Sequence, residues 1–137
     1  MKPVAFSLEF HGEAVELDPG RLWVDTRASG GVDGIGDGEV TCRRDLELTD
    51  DGSLTEKGEI SFGRGDAVTF TARGRLRPSP DPRFRHGTAV LEVTGGRGRL
   101  AGARGFLTSN FLLASGGELT DHNQGLLFVA SPEETNR

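Results

Sequence analysis

Arg44 stands in the middle of an apolar alternation. The segment EVTCRRDLEL (39–48) places Val40, Cys42, Leu46 and Leu48 on one face of a strand, and counting by twos points the Arg44 guanidinium to that same face. Glu56 interrupts Leu54, Ile60 and Phe62 in the same way one strand later. If Leu48 pairs with Leu54 across the TDDGS turn, Leu46 opposes Glu56 and Arg44 opposes Gly58. Arg44 and Glu56 are then diagonal neighbours within reach of long side chains. Such a pair can orient a substrate carbonyl or tune an acid. The same spacing equally describes a structural ion pair, or two charges near a barrel mouth.

Other residue types extend the candidate chemistry. Glu92 in TAVLEVT would act as a general acid or base if buried, and is a plain solvated carboxylate if not. Asn110, among Phe106, Phe111 and Leu112, offers either a polar contact to a ligand or a satisfied amide. His122, Asn123 and Gln124 form the most polar cluster of the last strand segment. Phe10, Trp23, Phe70 and Phe111 are the aromatic walls expected around a ligand, with Trp23 the strongest shape-setting one. The expected site thus has Arg44, Glu56 and Asn110 as catalytic residues, with Phe10, Trp23, Phe70, Glu92, Phe111 and His122 binding the ligand.

Metal and nucleophile chemistries find less support. His11, His86 and His122 have no ligand spacing, and adjacent strand residues such as Asp121 and His122 point to opposite faces, so no metal site is expected. Cys42 is the single cysteine, which excludes an intramolecular disulfide and a cysteine-based metal cluster and fits a reducing, cytoplasmic compartment. Neither Ser109 nor Ser115 has the flanking glycines of a nucleophile elbow. A net charge of −5 argues against nucleic acid as partner, and no run is long and apolar enough for a membrane. No signal-peptide profile opens the chain.

The elements that must position these residues read almost entirely with period two. Val4, Phe6, Leu8 and Phe10 alternate with polar neighbours, and the apolar parity shifts after Gly12 to Val15 and Leu17, as a bulge or barrel corner would produce. A strand near Arg21–Ala28 precedes the loop GGVDGIGDG, then come the hairpin strands 39–48, 54–62 and 67–77. Arg73, Arg75 and Arg77 share one outer, solvated face. The three prolines of PSPDPRFRHG (78–87) mark a long loop, expected over one barrel mouth. Strands over 87–94, 105–115 and 121–130 follow. These make about eight strands in hairpin order, and closure removes their edges, so the expected fold is an all-β, eight-stranded antiparallel up-and-down barrel. A β-sandwich is the alternative. Residues 1–130 would form one barrel domain and 131–137 a polar tail.

The stretch TGGRGRLAGARG (94–105) poses a separate question. Gly96, Gly98 and Ala101 fit the dinucleotide fingerprint after a strand, but that motif needs a helix to follow, and GARGFLTSNFLLAS is a strand pattern. The stretch therefore turns a corner. With Gly96, Gly98, Leu100, Gly102, Ala103 and Gly105 in register, it resembles the G-x-G-x-(F/L)-x-G-A-x-G signature of allene oxide cyclase-like barrels, which are similar to dirigent-related barrels and small bacterial barrel proteins. The match is close over 88–115 and elsewhere follows strand number and order. In that family this stretch closes one barrel end, with the apolar residue plugging the base. The resemblance implies a cofactor-independent cyclase or isomerase acting on a flexible apolar intermediate in the lumen. Some bacterial members resemble spirotetronate-type polyketide cyclases that guide a (4+2) cycloaddition. A non-catalytic carrier of a hydrophobic metabolite and a structural barrel remain the alternatives. Apolar residues of both parities in the last three strands, such as Phe111 with Leu112 and Leu126 with Leu127, imply a homo-oligomer, a dimer, with one sheet face covered.

Overall fold

A computed structural model describes residues 1–131. Eight strands follow in order: β1 (Lys2–Asp18), β2 (Arg21–Ala28), β3 (Val40–Leu48), β4 (Ser53–Gly63), β5 (Asp66–Pro78), β6 (Phe84–Arg97), β7 (Arg104–Ala114) and β8 (Glu118–Val129). Each pairs antiparallel with the next, and β1 pairs with β8, from Lys2 opposite Val129 to Glu13 opposite Glu118, closing the barrel. The expected eight-stranded antiparallel barrel is the fold observed. The polar tail expected at 131–137 lies, beyond Ser131, outside the described residues. Among the described residues no helix is long and apolar enough to cross a membrane.

Alternation decides what each strand sends inward. Val4, Phe6, Leu8 and Phe10 of β1, Val40, Cys42 and Leu46 of β3, and Leu107, Phe111 and Leu113 of β7 are buried in one continuous core. The β3–β4 register matches the expected pairing, with Leu48 opposite Leu54, Leu46 opposite Glu56 and Arg44 opposite Gly58. An inward glycine at 58 has a physical use: a Cβ there would lie 2.7 Å from Cζ of Phe70, whose ring fills the space instead. Gly87 makes the same room for the ring of Phe111.

Two elements differ from their sequence patterns. β1 keeps one parity through Gly12, which pairs with Thr26, so Val15 and Leu17 lie outside, about half exposed, with Val15 paired to Trp23. The register shift falls later, between Glu16 and Asp18. The loop expected over 78–87 shrinks to 79–83, because Pro78 ends β5 and Phe84 already pairs with Ala114. A proline at the end of a strand forfeits no interior ladder bond, so composition overstated the loop.

The two ends of the barrel are built differently. At one end tight turns join β1 to β2, β3 to β4, β5 to β6 and β7 to β8. At the other, the long β2–β3 connection folds inward and buries Val32 and Ile35, while the corner after β6 buries Leu100 and Ala103. That corner is a single 3-10 turn, Gly98–Leu100, with Gly98 at φ 65° and Gly102 at φ 78°, backbone conformations that favour glycine. No helix follows it; the chain enters β7 at once.

Candidate functional site

Inside the barrel, at mid-height, one arginine meets two carboxylates. Arg44 is 1% exposed, on an inward position of β3. Its Nη1 donates to Glu56 Oε1 on β4 at 3.1 Å, and its Nη2 donates to Ser109 Oγ on β7 at 3.1 Å and to Asp121 Oδ2 on β8. Ser109 Oγ in turn donates to Asp121 Oδ1 at 2.7 Å, and Asn123 Nδ2 donates to Asp121 Oδ2 at 2.7 Å. The guanidinium carbon lies 5.9 Å from the Phe111 ring centroid, a cation–π distance in a site sealed from water. Thr26 and the Cys42 thiol are also buried within the barrel.

Electrostatics at this cluster are dominated by burial and by the neighbours' charges. Desolvation works against the Arg44 charge, but the Asp121 and Glu56 carboxylates outweigh it and hold the guanidinium above the ordinary arginine value. Burial pushes the Cys42 thiol up to about 11, against the opposing pull of Arg44, so it is a neutral thiol at neutral pH. Three buried atoms of the cluster have no hydrogen-bond partner: Arg44 Nε, Glu56 Oε2 and Asn123 Oδ1. One open donor and two open acceptors give the site unspent capacity for a polar group.

The expected site residues divide by parity. Arg44 and Glu56 are inside and bonded to each other; Phe10, Phe70 and Phe111 are inside and pack the core. Four expected lumen contacts lie on the outer face instead. Trp23 is 40% exposed, because β2 sends Leu22, Val24, Thr26 and Ala28 inward. Asn110 is exposed and its Oδ1 sits 3.3 Å from His86 Nε2. Glu92 is exposed opposite Phe106, since Leu91 and Val93 take the inward positions of β6. His122 is exposed with Nε2 3.6 Å from Glu9 Oε1, while its neighbours Asp121 and Asn123 face in. The sequence reading weighed Ser109, Asp121 and Asn123 but assigned none of them to the site. Their parity with Leu107 and Leu113, and with Leu119 and Leu127, is the signal that places them inside.

The interior is filled. Phe6, Phe10, Phe70 and Phe111 are at most 2% exposed, and a concavity of about 750 Å³ lies on the outside of β3–β7 between Lys57, Arg73, Glu92 and Phe106. A smaller one of about 420 Å³ sits at the tight-turn mouth beside Ala14, Leu22, Phe84 and Leu113.

No family profile and no curated protein sequence matches the chain. A solved structure does: the pterocarpan synthase dirigent protein GePTS1 superposes with a TM-score of 0.67 at 14% sequence identity, over 94% of this chain and 89% of that one. What this chain shares with that dirigent protein is its fold, the closed eight-stranded antiparallel barrel.

Proposed function

We propose that this barrel holds a flexible, largely apolar, polyketide-like intermediate in its lumen and promotes its cyclisation, by a (4+2) cycloaddition and without a cofactor. The observation that carries the reading is the Arg44–Glu56–Asp121 cluster with its three unpartnered atoms. A core of matched apolar side chains would be as stable or more so, and a half-satisfied polar network is a cost that folding alone does not repay. In this reading Arg44 Nε, the open donor, hydrogen-bonds a carbonyl on the dienophile and draws electron density from its double bond. The diene and dienophile exchange three π bonds for two new σ bonds and one new π bond, and no proton or electron leaves the molecule. Most of the acceleration comes from holding the two reacting ends together. Phe70 and Phe111, whose rings occupy the room left by Gly58 and Gly87, are the groups the substrate displaces. The dirigent neighbour is a pterocarpan synthase, which is in keeping with cyclisation chemistry in such a barrel.

A second reading, a structural barrel, is favoured by the filled interior. One experiment separates the two: a panel of linear trienes carrying a carbonyl-activated dienophile is incubated with the protein and with a triple variant, Arg44→Met, Glu56→Leu and Asp121→Leu. Product forming faster than in buffer, with the acceleration lost in the folded triple variant, supports the cyclase. Acceleration that survives the triple replacement removes the reacting role from the cluster, and none with either protein favours the structural barrel.

A further inference from the structure

The outer face of β6, β7 and β8 carries a group of exposed apolar side chains, apart from the smaller group of Val15, Leu17 and Trp23 on β1 and β2. Val90, Phe106, Leu126 and Phe128 are 53%, 60%, 47% and 39% exposed. The registers fix their arrangement: Phe106 lies between Glu92 on β6 and Leu126 on β8, Val90 is opposite Thr108, and Phe128 is opposite Arg104. Some exterior charges pair within the chain, as in Arg21–Asp45 at 2.9 Å and Arg97–Glu59 at 2.6 Å. Among the described residues Glu92 and Arg104 enter no such pair, and Arg104 donates only to the carbonyl of Ala103. A cleft of about 360 Å³ lies among Glu92, Arg104 and Phe106.

These positions are self-complementary. Neighbouring strands are about 4.8 Å apart and alternate residues along a strand about 6.8 Å. Consider a two-fold axis lying in this surface, passing through Phe106 and running diagonally to the strands. On that grid it carries Glu92 to within about 3 Å of the Arg104 position, Val90 equally close to that of Phe128, and Leu126 to that of Thr108. Opposite charges therefore meet, Val90 meets Phe128, Leu126 meets Thr108, and Phe106 meets its own copy, the reciprocal pairing of an isologous interface.

We propose that this face docks on the same face of a second copy of this chain, with Phe106 at the centre and two reciprocal Glu92–Arg104 ion pairs flanking it. Burying the aromatic anchors supplies the affinity, and the two charge pairs set the register.

Sedimentation equilibrium of the full chain tests this at micromolar concentration. The expected result is a dimer that Phe106→Glu converts to a folded monomer by circular dichroism. Glu92→Arg and Arg104→Glu each weaken the dimer about tenfold or more, and combining the two restores it, since the pair is reciprocal. Trp23→Glu, on the opposite side of the barrel, leaves it unchanged. A monomer at all concentrations overturns the proposal. So does an oligomer that persists in Phe106→Glu, or single charge reversals whose combination gives no rescue.

Discussion

Arg44 answers two carboxylates at once, so removing it does more than delete a contact. Arg44→Ala leaves Glu56 and Asp121 buried beside each other without their common counter-charge. The expected loss is about 3–5 kcal/mol of unfolding free energy by urea titration. The triple apolar replacement, which removes both carboxylates as well, should unfold at a urea concentration equal to or above that of the parent chain. A loss below about 1 kcal/mol in Arg44→Ala would mean that water reaches the cluster and screens it. Arg44 and Glu56 were legible because β3 and β4 are clean alternators: Arg43, Asp45 and Glu47 mark the outside, so an inward charge stands out. Ser109, Asp121 and Asn123 were not, because β7 and β8 carry Phe106, Leu112, Leu126 and Phe128 on their outer side. With both parities apolar, Asn110 and His122 looked as internal as their neighbours. The hydrophobic exterior that hid half of the cluster is the face assigned to the second copy.

The connections show a comparable division between what a pattern reveals and what packing decides. Hairpin turns such as TDDGS announce themselves by aspartate and glycine, and all the strands were legible in type and order. The β2–β3 connection was legible as a loop, but its role as a plug depends on contacts distant in sequence. Arg99, in the corner after β6, donates from Nη2 to the carbonyl of Ile35 at 2.8 Å, and from its backbone N and Nε to Asp66 at 2.8 and 2.9 Å. Asp66 thus ties the β4–β5 turn to the plug through one arginine. The Arg99 backbone N–H, then its guanidinium, holds the Asp66 carboxyl below its ordinary value of 3.8. A depressed carboxylate contributes stability that is complete above the ordinary value and lost as pH falls through the lowered one. Thermal melts should therefore show Asp66→Asn less stable than the parent at neutral pH, with the gap narrowing below about pH 4. A constant gap across that range would mean that the carboxylate charge does not contribute.

At the scale of the whole molecule, the barrel is a meander whose two ends must find each other. Seven of the eight pairings join strands adjacent in sequence, and only β1 with β8 joins distant ones. A chain ending at Gly117 keeps seven strands but exposes the edges of β1 and β7 and loses Asp121 from the cluster. It should bind a hydrophobic dye and melt without a cooperative transition; a sharp melt would show that the remaining strands close on their own. The same closure carries a consequence for biosynthesis. Lys2, in the first strand of the barrel, pairs with Val129, in the last. The β1 edge that faces β8 must wait, unpaired and rich in valine and phenylalanine, until β8 has been translated. Barrel closure is thereby deferred until β8 has left the ribosome, and nascent chains on crowded polysomes are the stage at which this protein is most open to strand-edge aggregation.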